Sequence, residues 1–206
     1  MVHSDNRGLV LPPKIAPVQV VIIPIAQKKE GVLEKANELY DTLKAKGIRV
    51  ELDDNTEYSP GWKFNQYEMK GYPIRIEIGP RDIENNQAVA VRRDKLEKEI
   101  LYLDNIEDSI AQMLNAMQTD LFEKAKAHRE AHTYIVKDYE QYKKELPSRP
   151  GFTKMMWCGE RECEDKLKEE TGATIRCIPF EQENLGDKCH ICGKPAKHMI
   201  YTARAY

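Results

Sequence analysis

Residues 18–25 (VQVVIIPI) decide the fold, because they form an almost continuous run of apolar, mostly β-branched side chains. Such a run is typical of a strand covered on both faces. Apolar residues spaced by three and four follow over residues 32–43, and Gly47 occupies the position that commonly ends a helix. Residues 48–52 then alternate between apolar and charged. The sequence therefore predicts a β-α-β unit whose two strands are parallel.

A second helix is predicted immediately after this unit. Ser59 is a good N-cap, Pro60 suits the first helical position, and Gly71 ends the helix. Alternating apolar residues then predict three more strands, the last of them at the sheet edge, with a turn at Gly79 and Pro80. These strands cover residues 74–78, 88–91 and 99–103.

A long helix is predicted to follow the strands. Asp104 and Glu107 have the spacing of a capping box, and one apolar stripe runs from Ile106 to Phe122. Strands and helices in this order predict an α/β layer domain over residues 17–128.

The composition changes after residue 128. Residues 134–146 are a short polar helix or a connector, and residues 147–151 form a loop rich in proline. All five cysteines of the chain lie beyond that loop. This change predicts a second, small domain over residues 129–206.

Length and composition exclude several classes of protein. With 206 residues, 41% hydrophobic and 32% charged, the chain is neither intrinsically disordered nor membrane-spanning. Its net charge of -2 excludes a globally basic nucleic-acid-binding protein but leaves room for a local basic patch. Five cysteines, an odd number, rule out a complete disulfide framework, and the first residues lack a secretory signal. A cytoplasmic protein with reduced thiols is expected.

Two close pairs of cysteines predict a metal site: Cys158 with Cys163, and Cys189 with Cys192. Each pair supplies two sulfurs from one tight loop, and four thiolates would close a tetrahedral, structural zinc site. Two alternatives are four free or disulfide-bonded cysteines, and replacement of one cysteine ligand by His190. Cys177 lies in an apolar strand pattern and is expected to be a buried core thiol.

Aromatic and polar side chains are interleaved over residues 57–71, and arginines follow at 75, 81, 92 and 93. Single-stranded RNA is recognised by stacking on aromatic rings or guanidinium planes and by hydrogen bonds to exposed base edges. These residue types therefore suit an RNA-binding α/β domain. In the alternative interpretation, Trp62 and Tyr67 belong to the core, and Arg75 and Glu77 lie on the solvated face of a strand.

Four stretches carry a resemblance to a known family: residues 8–17 (GLVLPPKIAP), 59–65 (SPGWKFN), 78–82 (IGPRD) and 89–94 (VAVRRD). In this order, and together with the four paired cysteines and Tyr206, they resemble the C-terminal part of prolyl-tRNA synthetases. The type is the archaeal/eukaryotic-like one, a class II aminoacyl-tRNA synthetase.

The resemblance implies both a fold and an activity. It implies a mixed five-stranded sheet with flanking helices, the class IIa anticodon-binding fold, followed by a small α+β zinc-binding domain. The full-length enzyme of this family activates proline with ATP and Mg²⁺, attaches it to proline tRNA, and is a cytoplasmic homodimer. Residues 1–16 resemble only the end of the catalytic domain and the linker after it. The chain is therefore expected to lack the catalytic core and to be inactive by itself.

The resemblance also implies site residues, none of them catalytic. Those expected to contact the anticodon loop are Phe64, Glu68, Arg75 and Arg81, with Lys63 and Lys70 as phosphate partners. Those expected to hold a structural Zn²⁺ are Cys158, Cys163, Cys189 and Cys192. Two alternatives remain at this point. One is a free-standing paralogue that acts as an RNA-binding or interaction subunit, and the other is a threonyl-, histidyl- or glycyl-tRNA synthetase, against which the zinc-bearing tail and Tyr206 argue.

Overall fold

A computed structural model describes residues 3–205, so Tyr206 lies outside the described residues. The chain divides into two compact units, one ending at Glu123 and the other beginning at Lys124. Every helix among the described residues is too short or too polar to cross a membrane.

A mixed five-stranded sheet is the centre of the first unit. A short antiparallel hairpin, β1 (Ser4–Asp5) and β2 (Gly8–Leu9), precedes it. The sheet consists of β3 (Val20–Pro24), β4 (Val50–Leu52), β5 (Ile74–Ile78), β6 (Gln87–Arg92) and β7 (Lys98–Tyr102). Its order is β4-β3-β5-β6-β7, with β3 parallel to both neighbours and the last two strands antiparallel. The predicted parallel pair and the predicted edge strand are both confirmed.

Helices cover the two faces of this sheet unequally. They are α1 (Val32–Ala45), α2 (Pro60–Lys70), α3 (Pro80–Glu84) and α4 (Ile106–Ala131). Side chains from α1 and α4 pack with Val20, Ile22 and Ile76 on one face, whereas Tyr67 of α2 packs with Val21 and Ile23 on the other. The alternation of a strand explains this division, because successive residues point to opposite faces.

The local signals for α2 are confirmed. The predicted turn at Gly79 and Pro80 includes a short helix, and the expected burial of Phe122 is wrong. Ser59 caps α2 by accepting a hydrogen bond from the Trp62 N–H at 3.4 Å, and Gly71 ends it with a φ of 76°. Gly79 and Pro80 begin α3 rather than only turning the chain, because Asp82 accepts a hydrogen bond from the Gly79 N–H. Phe122 was expected in the apolar stripe of α4 but is 61% exposed.

The second unit has its own four-stranded sheet. Its elements are β8 (Thr133–Ile135), α5 (Tyr139–Glu145), β9 (Phe152–Trp157), α6 (Arg161–Thr171), β10 (Ala173–Cys177) and β11 (His198–Arg204). The strand order is β10-β11-β9-β8, and residues of α5 and α6 pack with Met155 and Ile200 of the sheet. This mixed architecture confirms the predicted small α+β domain after the α/β domain.

Cys177 is exposed, so the prediction of a buried core thiol is wrong. The apolar pattern around it is real, but β10 is an edge strand, and the pairing with β11 is irregular between Ile175 and Cys177. A bulge at a sheet edge turns side chains away from the alternation that a sequence pattern assumes.

The hairpin of β1 and β2 packs against the end of α2 with no room for a side chain. A Cβ added to Gly8 would lie 2.5 Å from the Met69 carbonyl oxygen, and one added to Gly71 would lie 2.6 Å from Leu9 Cβ. Both glycines also have positive φ, of 134° and 76°. This close approach places the β1–β2 hairpin beside α2.

Replacement of Gly71 by Ala should destabilise the first unit by about 2 kcal/mol, because it adds left-handed strain to a steric clash. Gly61→Ala is the matched control: Gly61 lies inside α2, where an added Cβ meets nothing within 4 Å, and alanine should stabilise the helix by about 0.5–1 kcal/mol. Urea unfolding in a Trp157→Phe background, with Trp62 as the fluorescent probe of this unit, measures both changes. Equal effects of the two substitutions would contradict this account of the hairpin.

Candidate nucleic-acid-binding face and metal centre

The guanidinium of Arg75 lies over the face of an aromatic ring. Phe64 lies on α2 and Arg75 on the neighbouring strand β5, and the Arg75 Cζ lies 4.2 Å from the centre of the Phe64 ring. Arg75 is 8% exposed. A guanidinium stacked on an aromatic face is stabilised by the cation–π interaction, more strongly where water is excluded.

Two carboxylates fix the plane of this guanidinium. Arg75 Nη1 donates to Glu68 Oε1 at 2.8 Å, while Nε and Nη2 both donate to Glu77 Oε1, at 3.1 and 3.0 Å. These bonds use three of the five N–H groups of an arginine, so one N–H on each terminal nitrogen is left. We refer to Phe64, Glu68, Arg75 and Glu77 as the Arg75 cluster. Since Arg75 and Glu77 are both buried, the alternative of a solvated strand face is wrong.

The outer carboxylate oxygens of the cluster face cations at its rim. Glu77 Oε2 accepts from the Nζ of Lys98, a largely exposed residue of β7, at 3.1 Å. Glu68 Oε2 faces the Arg7 guanidinium at 3.9 Å, which is too long for a hydrogen bond. The Arg75 cluster thus combines a stacked aromatic group, two remaining N–H donors and a carboxylate acceptor, which is the chemistry that an exposed base edge needs.

The other predicted contact residues lie apart from the Arg75 cluster. Arg81 is exposed in the first turn of α3, and Lys70 is exposed at the end of α2, its Nζ 5.3 Å from the centre of the Tyr67 ring. Lys63 is only 3% exposed, and its Nζ is 2.9 Å from both the backbone carbonyl and the carboxylate of Asp53. Of the two predicted phosphate partners, therefore, Lys70 faces solvent and Lys63 points inward.

The two aromatic residues for which core packing was the alternative differ in environment. Tyr67 is buried, and its hydroxyl lies within hydrogen-bond distance of the carboxylates of Glu51 and Asp53. Burial together with these two acids raises the pKa of Tyr67 well above its usual range. Trp62, by contrast, is 46% exposed and stacks on Tyr58 with the ring centres 3.9 Å apart. Core packing is confirmed for Tyr67 and wrong for Trp62.

Sequence reasoning missed a supporting ion pair. Arg93 donates two hydrogen bonds to the carboxylate of Asp5, at 2.8 and 2.6 Å, and a third from Nε to the backbone carbonyl of Glu68 at 2.7 Å. It thereby joins the β1–β2 hairpin to the part of α2 that carries Glu68. No local signal could reveal this pair, because Asp5 and Arg93 are 88 residues apart.

The hydrogen bonds from Arg93 hold the pKa of Asp5 well below its usual range. A carboxyl group whose pKa is lower in the folded state stabilises the fold above its unfolded pKa of about 3.9, and this stabilisation is lost as the pH falls below that value. Asp5→Asn should therefore weaken the first unit at pH 7 and reduce the loss of its stability between about pH 5 and pH 2. Urea titrations across this range test the prediction. Asp41→Asn, at an exposed position of α1, is the matched control and should leave the pH profile unchanged.

Two separate loops carry the paired cysteines. Cys158 directly follows β9, and Cys163 lies in the first turn of α6. Cys189 and Cys192 flank a tight turn in which the Gly193 N–H donates to the Cys189 carbonyl at 2.9 Å. The His190 N–H donates to the Met156 carbonyl at 3.1 Å, which attaches this turn to β9.

The four sulfurs have the spacing of a tetrahedral metal site. All four Sγ atoms lie within 4.8 Å of one another, with 3.5 Å between Cys158 and Cys163 and 3.8 Å between Cys158 and Cys192. Sulfurs at about 2.3 Å from zinc in a tetrahedron are about 3.8 Å apart. The residues therefore fit a metal ion. His190 is not one of the clustered groups, since its Nδ1 accepts the Met156 N–H at 2.9 Å.

Protons and a metal ion would compete for the sulfur atoms of these cysteines. Burial raises the pKa of Cys163 well above its usual range and also raises that of Cys189. At Cys192 burial acts in the same direction, but the Lys194 backbone N–H and the neighbouring thiols outweigh it and lower the pKa to about 7. A metal ion held by these cysteines would be bound by their thiolate forms, so its binding would release protons and its affinity would rise with pH.

Each of the two units matches a family of known proteins. Residues 19–113 match the family model described as anticodon binding domain, and residues 139–206 match the one described as prolyl-tRNA synthetase, C-terminal. Proteins named proline–tRNA ligase from Acetoanaerobium sticklandii and Alkaliphilus oremlandii are 66% and 64% identical over the whole chain. Proline–tRNA ligase 2 of Clostridioides difficile is 58% identical.

The chain covers 43% of the length of each of these relatives. The two family models follow each other in the order of the two units, and the identity to the relatives extends over all 206 residues. The chain therefore belongs to the prolyl-tRNA synthetase family and corresponds to its C-terminal part, an anticodon-binding domain followed by the C-terminal domain of that family.

Proposed function

We propose that the first unit recognises the anticodon loop of proline tRNA, and that the Arg75 cluster recognises guanines at the second and third anticodon positions. The observation that carries this proposal is the guanidinium of Arg75, stacked on Phe64 and fixed between Glu68 and Glu77. A guanine presents N–H donors on its Watson–Crick edge and the O6 and N7 acceptors on its Hoogsteen edge. The outer oxygen of Glu68 suits the donors, and the two remaining N–H groups of Arg75 suit the acceptors.

Cations around the cluster are proposed to position the RNA. Arg81 and Lys70 are exposed, and neither has an ion pair with another residue within 3–205, so both are available to the loop or its phosphates. Lys63 would first have to leave Asp53, so its proposed role is to hold α2 against the end of β4. Phosphate contacts fix the position of a nucleic acid, whereas the base contacts of the Arg75 cluster supply the specificity.

Glu68→Gln should weaken binding of proline tRNA about 10-fold or more, because an acceptor for the guanine edge becomes partly a donor. The same variant should lose most of the discrimination against tRNA in which the anticodon guanines are replaced. Equilibrium binding at fixed salt measures both effects, and Glu34→Gln, an exposed acid on α1, is the matched control. Equal binding of the wild-type chain to tRNA with and without those guanines would disprove anticodon recognition.

We further propose that Cys158, Cys163, Cys189 and Cys192 bind Zn²⁺, which has a structural role. The support is the mutual spacing of the four sulfurs and their origin on two loops. When bound, the ion would link the end of β9 and the start of α6 to the turn at 189–192. A sheet with helices packed on it in a unit this small buries little apolar surface, so a metal link stabilises it substantially.

Metal analysis of the purified chain should find about one zinc per molecule. Cys163→Ser, or removal of the metal with a chelator, should lower the unfolding temperature of the second unit, with Trp157 fluorescence as its probe. Cys177→Ser is the matched control, since Cys177 is exposed and lies outside the cluster. A chain that holds no zinc and has four freely titratable thiols in the cluster would rule out the site.

The activity of the longer relatives leads to a proposal for the whole protein. They are named proline–tRNA ligases and are more than twice as long as this chain. We propose that the chain acts as the tRNA-recognition part of a cytoplasmic, homodimeric enzyme that attaches proline to tRNA. ATP and Mg²⁺ would be used by the catalytic domain of that enzyme, so the 206-residue chain should be inactive by itself.

The two functions are proposed to belong to separate domains, residues 17–128 and residues 129–206. The division of the chain after Glu123 and the family matches at 19–113 and 139–206 support this organisation.

A further inference from the structure

Two large apolar side chains are exposed on the edge strand of the first sheet. Ile100 is 58% exposed and Tyr102 is 65% exposed, and both lie on β7. Edge strands commonly carry charged residues that discourage contact with other chains. We call Ile100 and Tyr102 the β7 strip.

The β7 strip lies on the face of the sheet that carries the Arg75 cluster. Residues 98, 100 and 102 share one face of β7, since side chains alternate along a strand. Lys98 contacts Glu77 of the cluster at 3.1 Å, which identifies that face. The strand register agrees, because Glu77 pairs with Val89 of β6 and Val89 pairs with Ile100.

The distance from the cluster suits an adjacent nucleotide. Ile100 is two strands away from Glu77, which corresponds to about 10 Å, and Tyr102 is one step further along β7. A base held at the Arg75 cluster therefore has a neighbouring base of the same RNA strand within reach of β7. Lys98 lies on β7 next to Ile100 and reaches Glu77 with its Nζ at 3.1 Å, so a cation is available near both positions for a phosphate of the RNA.

We propose that the β7 strip is a second base-binding position, on which a base of the anticodon loop next to the recognised guanines stacks against the Tyr102 ring. The inference rests on the proposed anticodon recognition and extends it. Stacking on an aromatic ring depends little on base identity, since every base has a π-face. The β7 strip therefore adds affinity and fixes the direction of the loop, while the Arg75 cluster supplies specificity.

The test is binding of the full 206-residue chain to a short RNA hairpin that carries the proline anticodon loop. Tyr102→Ala should weaken binding about 5- to 30-fold, and Tyr102→Phe, which keeps the ring, should bind like the wild type. Phe122→Ala is the matched control, because Phe122 is 61% exposed on α4, whose apolar stripe packs on the opposite face of the sheet. Thermal unfolding of each variant confirms that an exposed substitution leaves the fold intact.

Hairpins with one abasic loop position at a time locate the stacked base. At that position the wild type should lose affinity by the same factor as Tyr102→Ala, and the two changes together should cost no more than either alone. Additive losses at every position would overturn the inference. It would also be overturned by a Tyr102→Ala chain that binds RNA like the wild type while changing its self-association, which would identify a protein interface.

These outcomes are distinguishable from failure of the proposed function. If the wild type still discriminates against hairpins without the two guanines but Tyr102→Ala has no effect, anticodon recognition stands and the β7 strip is not a base-binding position. If the wild type does not discriminate, the proposed function itself is wrong.

Discussion

The first unit is organised around the guanidinium of Arg75, which is buried between one face of the sheet and α2. Taking the charge of Arg75 out of water is costly, and the cost is offset only when several partners meet it with good geometry. Phe64 and Glu68 supply two of these partners from α2, and Glu77 supplies the third from the same strand. The contacts that hold α2 on the sheet are therefore the same contacts that position the predicted recognition groups.

Contacts from distant parts of the chain maintain that position. Arg93 holds the Glu68 backbone and the Asp5 carboxylate at once, and the hairpin approaches α2 through Gly8 and Gly71. Within the cluster itself, Arg75 and Glu77 are buried. A site preorganised in this way loses little conformational entropy when a ligand binds, because its side chains are already ordered.

The second unit is organised by a different interaction. Four sulfurs converge from the end of β9, the start of α6 and the turn after residue 188, close to the apolar cluster around Met155 and Leu167. Burial raises the pKa of the Cys163 and Cys189 thiols, which favours their protonated form in the absence of a metal, so the arrangement suits an ion that replaces these protons. Coordination of a metal ion by the cysteines, rather than burial of apolar surface, is thus the expected main link between these loops.

The sequence by itself determined what depends on neighbouring residues. The β-branched run at 18–25 predicted β3, Ser59 and Gly71 predicted both ends of α2, and the cysteine spacing predicted which thiols cluster. Only the tertiary structure decided which side chains became buried or exposed. Arg75 and Lys63 point inward, while Cys177 and the β7 strip face solvent. The reason is physical: strand alternation and helix periodicity define two faces, but what covers each face comes from partners far away in the sequence.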